Sequence, residues 1–222
     1  MEEVQRYHIR HSLPRDIEII SKVEVLKHQK EILEKWKPWT DVWSLEYGRN
    51  ILAGVAAFTG LYINRKFRAK IKLRDFGHLP TALGLFMTPT ATVYLLQTEF
   101  VLHKLLAYEV SCPVCLESKS AAMQIFGGMF LALLGAPLAN FSIAAGSGRF
   151  SVPLRNDFRG MLKITRSAYQ PLLPKLAILF TVNALLAGFI THSQVESFIY
   201  IEQMQHLMEQ DKTERLKIQD GF

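Results

Sequence analysis

The apolar residues of this chain are concentrated in four stretches that contain no Asp, Glu, Lys or Arg. They cover residues 50–64, 79–98, 120–148 and 176–193. A surface helix of a soluble protein carries a charged face, and these stretches have none. At about 1.5 Å per residue, the last three are long enough, or nearly so, to cross a hydrocarbon core of about 30 Å. The pattern predicts an all-α, polytopic membrane protein with about four transmembrane helices.

The first stretch is the shortest, and two interpretations of it stay open. Tyr47 and Arg49 precede it, and Arg65 and Lys66 follow it. Such side chains extend a span when they lie at the membrane interface. The alternative is a buried or re-entrant helix that does not cross the membrane.

Amphipathic segments are predicted on both sides of the membrane domain. Residues 14–36 place apolar side chains near helical spacing and end before Pro38. Ser193 and Glu196 have the spacing of a capping box, which predicts that a second amphipathic helix begins there. These boundaries define three parts, which are an N-terminal amphipathic helical extension (1–46), a four-helix membrane domain (47–192) and a C-terminal amphipathic helix and tail (193–222).

Charge orients the chain and does not identify a ligand. The 222 residues hold 26 Lys and Arg against 20 Asp and Glu, a formal net charge of +6, with a mean hydropathy of +0.11. The connections 64–78 and 147–175 hold six basic residues each against one acid each. The positive-inside rule places both on the negative side of the membrane, opposite the termini and the middle connection. We therefore expect no nucleic-acid partner.

Cys112 and Cys115 form a CxxC pair, the one motif here with redox chemistry. Two thiols at this spacing can close a disulfide or exchange one, so a structural disulfide, two unreacted thiols and a thiol oxidoreductase are all considered. Membrane thiol oxidases relay electrons through a second cysteine pair, and the chain has two cysteines in all. The catalytic interpretation is the least favoured of the three.

No other pattern predicts catalysis or a bound cofactor. His8 with His11, and His206 with Glu209, offer two ligands each, which is fewer than a metal site needs. The sequence shows neither a nucleophile elbow nor a phosphate-binding glycine loop. We expect a protein that is not an enzyme and that binds no cofactor and no metal.

Three groups of residues are candidates for protein contacts. Small residues at four-residue spacing let helices approach closely, either within the bundle or against other membrane subunits. Tryptophans before the first span are typical of an interfacial belt, or form a docking face. Basic side chains present charge to soluble partners. The candidates are Gly128, Ala132, Ala136 and Asn140, with Ala56, Gly60 and Asn64 on the first span; Trp36, Trp39 and Trp43; and Arg65, Lys66, Arg68, Arg155 and Arg159.

The order of these features resembles the transmembrane protein 126 family of animal mitochondria. The likeness runs from about Tyr47 to Glu202, and the ordered set is far more specific than any one motif. It comprises the basic connection after Asn64, a Leu79-Pro80 start to the second span, the CxxC pair, Gly127-Gly128, a Pro137-containing helix and a Ser167…Pro171…Lys175 approach to the last span. The long extension before the first span is more similar to the B than to the A paralogue.

This resemblance implies a non-enzymatic, multi-pass protein of the mitochondrial inner membrane that assists assembly of respiratory complex I. Family members are assembly factors for its proton-pumping membrane arm. The B paralogue anchors an acyl-CoA-dehydrogenase-like protein, the ECSIT adaptor and a complex I intermediate-associated factor. The partners it implies are therefore complex I membrane-arm subunits, these factors and the phospholipid membrane. A permanent structural subunit of a respiratory complex is the alternative.

Overall fold

The structure, a computed structural model, describes residues 22–73, 76–110, 112–147 and 158–220. Within these ranges all regular secondary structure is helical, which confirms the prediction of an all-α protein. The chain divides into two compact units, residues 1–36 and 37–222. The division into three parts at residues 46 and 192 stays a prediction. The predicted amphipathic helix at 14–36 is seen from Lys22 onward, and its first residues lie outside the described ranges.

The helices are numbered in chain order. In the described residues they are α1 (Lys22–Lys35), α2 (Trp43–Ile71), α3 (His78–Gln97), α4 (His103–Leu106), α5 (Pro113–Gln124), α6 (Leu131–Ser147), α7 (Phe158–Tyr169) and α8 (Leu173–Asp220). A π-helical segment at Thr98–Leu102 joins α3 to α4, and another at Ile125–Phe130 joins α5 to α6. Short 3-10 turns lie at Trp39–Asp41 and Gln170–Leu172.

Three continuous helical stretches are long and apolar enough to span a membrane. They are His78–Leu106, Pro113–Gly146 and Arg159–Leu216. They contain the second and fourth apolar stretches of the sequence and the third as far as residue 146, which supports a multi-pass membrane protein. Helix α2 has 29 residues, about 43 Å at 1.5 Å per residue, but its composition keeps it outside this set. A fourth span therefore stays a prediction.

Helix α2 lies at the centre of the bundle, where it packs against α3, α6 and α8. Its buried residues include glycine, serine, threonine and asparagine. A helix that is covered by other helices needs little lipid-facing apolar surface, and small residues let its neighbours approach. This position accounts for the low hydropathy of a helix that is otherwise long enough to cross.

The connections are shorter than the sequence indicates. Helix α2 continues to Ile71, so the first four basic residues of the first connection lie on its last two turns, where cations complement the helix dipole. Lys72 ends the helix in a left-handed conformation with φ 58°, and Gly77, with φ 65°, precedes α3. A Cβ at Gly77 would lie 2.4 Å from Ile143 Cγ2, so this turn requires glycine for its backbone and for its packing.

Helix α8 continues without a break through the position where a new helix was expected. Ser193 lies in its interior, and its backbone carbonyl accepts a hydrogen bond from Ser44 Oγ at 3.1 Å. The capping-box interpretation of Ser193 and Glu196 is wrong, because a capping box needs the free N–H groups of a helix start. The last span and the C-terminal amphipathic segment are one helix.

Candidate functional site

The basic end of the bundle is organised around Arg68, whose side chain is only 3% exposed. Its Nη1 donates to Asn140 Oδ1 at 2.9 Å and to Thr81 Oγ1 at 3.1 Å. Its Nη2 donates to the backbone carbonyl of Phe76 at 2.7 Å. The expectation that Arg68 presents its charge to a partner is wrong, because the guanidinium is enclosed by hydrogen-bond acceptors of α3, α6 and the turn between α2 and α3.

Two asparagines and a threonine complete what we call the Arg68 cluster, defined as Asn64, Arg68, Thr81 and Asn140. Asn140 Nδ2 donates to Asn64 Oδ1 at 2.8 Å and to the Ala136 carbonyl at 2.7 Å. Asn64 Nδ2 reaches Thr81 Oγ1 at 3.4 Å. The cluster ties α2, α3 and α6 together in a region where water cannot satisfy buried polar groups.

Helix α7 covers this end of the bundle. Met161, Ile164 and the buried Ala168 face the apolar cluster around Phe67. Tyr169 places its ring centroid 5.6 Å from that of Phe67 and donates its hydroxyl to the Leu133 carbonyl at 2.7 Å. Sequence reasoning missed this helix and treated it as a basic connection. The apolar spacing of residues 161, 164 and 168 was the signal that could have revealed it.

The remaining basic candidates differ in accessibility. Arg65 and Arg159 are exposed, and Lys66 is partly exposed with its Nζ 5.6 Å from the Tyr62 ring centroid. Arg155 lies outside the described residues. Lys163 and Arg166, which were not singled out from the sequence, are exposed on α7 beside Arg159. We call Arg65, Lys66, Arg159, Lys163 and Arg166 the basic face.

The small-residue candidates lie inside the bundle. Ala132, Ala136 and Asn140 are fully buried, and a Cβ at Gly128 would lie 3.1 Å from the Ala56 Cβ. Gly128 packs against Ala56, and Asn140 contacts Asn64. The small residues of α2 and those of the α5–α6 helix therefore run in the same direction. The structure thus places Gly128, Ala132, Ala136 and Asn140 in the packing between α2 and the α5–α6 helix.

Two further polar clusters link the helices, and sequence reasoning missed both. Gln124 Nε2 donates to Asn183 Oδ1 at 3.1 Å, and Asn183 Nδ2 donates to Thr59 Oγ1 at 3.2 Å. Nearer the other end, Gln97 Nε2 donates to Ser120 Oγ at 2.9 Å, and Thr191 Oγ1 donates to the same atom at 2.7 Å. The presence of a glutamine in two of the uncharged stretches could have indicated these clusters. A glutamine side chain inside a membrane needs a hydrogen-bond partner from another helix.

The CxxC pair begins helix α5. Both cysteines are free, Cys112 is the N-cap residue, and the Cys115 N–H donates to Cys112 Sγ at 3.3 Å. A hydrogen bond from the Cys115 side chain, together with this backbone N–H, lowers the pKa of the Cys112 thiol. Cys115 is exposed in the first turn. A disulfide between them stays a prediction.

The tryptophans fall in both units. Trp36, partly buried, ends the first unit, while Trp39 and Trp43 belong to the second. Trp39 is 64% exposed and Trp43, also partly buried, is the first residue of α2. A docking role for the three stays a prediction.

Metal-ligating residues are dispersed in the described part of the chain. Within those ranges no group of three or more His, Cys, Asp or Glu side chains could hold a metal ion. His206 and Glu209 lie on the exposed far end of α8, and His8 and His11 lie outside the described residues.

Comparisons with known proteins give one consistent result. The family model described as transmembrane protein 126 matches residues 24–210. A protein of Drosophila melanogaster named transmembrane protein 126 is 32% identical over 207 residues, which covers 92% of this chain and 93% of that protein. No solved structure matches the chain. Neither match separates the A from the B paralogue.

Proposed function

This chain belongs to the transmembrane protein 126 family, and on that premise we propose that it is a non-enzymatic scaffold of the mitochondrial inner membrane that assists assembly of the membrane arm of respiratory complex I. In this proposal the bundle contacts incomplete membrane-arm subunits. It also recruits soluble assembly factors, namely an acyl-CoA-dehydrogenase-like protein, the ECSIT adaptor and a complex I intermediate-associated factor.

The observation that carries the proposal is the basic face, whose residues lie on two helices that pack into the bundle. Arg159, Lys163 and Arg166 are on a helix whose apolar side packs against the core, and Arg65 and Lys66 are on the last turns of α2. Cations held on fixed helices suit recognition of an acidic protein surface, because they steer association and fix its orientation.

The lipid-facing surface supports the membrane part of the proposal. Large apolar side chains project outward from α3 and α8 and are free for lateral contact with lipid or with other membrane subunits. They include Leu79, Leu83, Leu95, Ile178, Leu185 and Phe189.

Charge reversal of the basic face tests the proposal. We expect the variant Arg65→Glu/Lys66→Glu/Arg159→Glu to lower co-purification of the soluble factors by about tenfold, since several exposed charge pairs of about 0.2–1 kcal/mol each change sign. The measurement is native co-purification from mitochondria with quantitative mass spectrometry. Arg68 is left unchanged because its side chain is buried.

The control is Lys119→Glu, which changes an exposed cation on α5, a helix that the basic face does not include. Unchanged recovery of the soluble factors with the triple variant would contradict the proposal. Recovery of the wild-type chain in mature complex I, at one copy per complex, would favour a permanent subunit instead.

A further inference from the structure

Arg49 lies in the second turn of α2, where the chain faces α3. Its side chain is half-buried, and its Cζ lies 5.2 Å from the centroid of the Tyr94 ring on α3. The Nε atom is buried and donates no hydrogen bond. Within the described residues no carboxylate lies within ion-pair distance of this guanidinium. A buried N–H donor of a cation is costly when it has no acceptor, so it points to an anion that the protein does not itself supply.

An apolar groove lies between α2 and α3, and Tyr94, the ring that the Arg49 guanidinium contacts, is one of the residues that line it. Its volume is about 550 Å³, which falls within the range of about 300–1,000 Å³ that is typical of small-ligand sites. Asn50 and Tyr94 line one end, Leu61 and Phe86 line the other, and Gly54 lies between them. A Cβ built on Gly54 meets nothing within 4 Å, so the middle of the groove is open.

The groove has the length of one membrane leaflet. From Asn50 to Leu61 it follows α2 for about 17 Å at 1.5 Å per residue. One leaflet contributes about half of a hydrocarbon core of about 30 Å. An acyl chain therefore fits this groove end to end, with its headgroup beside Arg49.

We propose that this groove binds one phospholipid with an anionic headgroup, which places its phosphate on Arg49 and an acyl chain along Gly54. The phosphate accepts hydrogen bonds from a planar guanidinium, whose geometry suits it, and Tyr94 holds that guanidinium in place. A transmembrane helix from another protein fits less well. It would run the full depth of the membrane, and its backbone carbonyls, already bonded within the helix, would offer Arg49 no acceptor.

The test uses the purified full chain in detergent, titrated with phosphatidylglycerol or phosphatidylcholine of the same chain length and followed by native mass spectrometry. We expect Arg49→Gln to reduce the preference for phosphatidylglycerol by about tenfold or more. Both lipids carry the phosphate, but the choline cation of phosphatidylcholine offsets its charge, so the arginine cation favours the lipid with net negative charge and glutamine does not. We expect Gly54→Leu to weaken the binding of both lipids by filling the groove, since the added Cβ itself meets nothing within 4 Å.

Matched controls are Arg65→Gln, an exposed cation at the other end of α2, and Gly84→Leu, which adds the same side chain to another open glycine. Both should bind lipid as the wild type does. Glycerol phosphate alone should compete weakly, since it lacks the acyl chain; competition as strong as that of the lipid would overturn the acyl-chain part of the proposal.

Three other outcomes would overturn it. The first is an unchanged lipid preference in Arg49→Gln, and the second is unchanged binding in Gly54→Leu. The third is a photo-crosslinker at position 54 that captures a protein helix in native membranes instead of lipid. The titration requires no assembly partner, so its result is independent of the scaffold proposal.

Discussion

At the residue scale, Arg65 and Arg68 show how two similar basic side chains acquire different roles. Both lie on the last turns of α2, three positions apart. Arg65 is exposed, whereas Arg68 reaches acceptors from the α2–α3 turn, Thr81 and Asn140. These acceptors come from distant parts of the chain, so no local pattern around Arg68 indicates its burial. Its contribution is to stability, because it satisfies buried oxygens that water cannot reach.

Replacing Arg68 by methionine should therefore destabilise the bundle. We expect a loss of about 1–3 kcal/mol for each buried acceptor left unsatisfied, among them Asn140 Oδ1 and the Phe76 carbonyl. The measurement is thermal unfolding of the purified chain in detergent. Arg65→Met is the control and should melt close to the wild type, and equal melting temperatures for the two variants would contradict this account of Arg68.

At the scale of elements, the approach of α2 to α3 depends on one proline and one glycine. Pro89 has no N–H, so the Leu85 carbonyl loses its usual partner within α3. That carbonyl faces Gly60 of α2, where a Cβ would lie only 2.2 Å away. The proline and the glycine thus act together, because the freed carbonyl can lie against α2 only where the facing residue has no side chain.

Gly60→Ala should push α2 and α3 apart. The clash involves a backbone oxygen, which cannot rotate away as a side chain can, so we expect a destabilisation of about 1–3 kcal/mol. Thermal unfolding again provides the measurement. Gly188→Ala is the matched control, because its added Cβ meets nothing within 4 Å and alanine favours the helix. A Gly60→Ala protein that melts at or above the wild-type temperature would refute the close contact.

At the scale of the whole molecule, α2 decides the topology. The helical stretches His78–Leu106, Pro113–Gly146 and Arg159–Leu216 are long and apolar enough to cross the membrane, whereas α2 is long enough but less apolar. If α2 crosses, the N-terminus and the α4–α5 connection lie on the same side. If it does not, they lie on opposite sides.

We expect four crossings, because α2 packs along α3, α6 and α8 and is about 43 Å long. A tag before Met1 should then share its side with Cys115, which is exposed and can be labelled by an impermeant maleimide in sealed vesicles. Protease protection locates the tag, and Cys112→Ser/Cys115→Ser is the unlabelled control. A tag after Phe222 should share the side of Cys115 with three crossings or four. A Met1 tag on the opposite side would reduce the number of crossings to three.

Local composition and the order of motifs were enough to indicate an all-α membrane protein, its family and three stretches that are able to span a membrane. A long helix without charged residues favours the hydrocarbon of a membrane over water. Whether a segment has this composition can be read directly from a single sequence. The order of motifs around the CxxC pair was sufficient to indicate the family. The spacing of small residues at 128, 132, 136 and 140 likewise indicated a helix-packing surface, because it follows from helical periodicity alone.

Which polar side chains face inward, and where the helices contact one another, became visible in the folded structure alone. The burial of Arg68, the partners of Gln97 and Gln124, and the contact of Gly60 with Leu85 join residues that are far apart in sequence. The continuity of α8 through Ser193 also depends on its neighbours, since packing against α2 and α5 supports a helix where local signals favour a new start. Each of these features is a contact between residues of two different helices. The periodicity of one helix does not specify which residue of another helix it will contact.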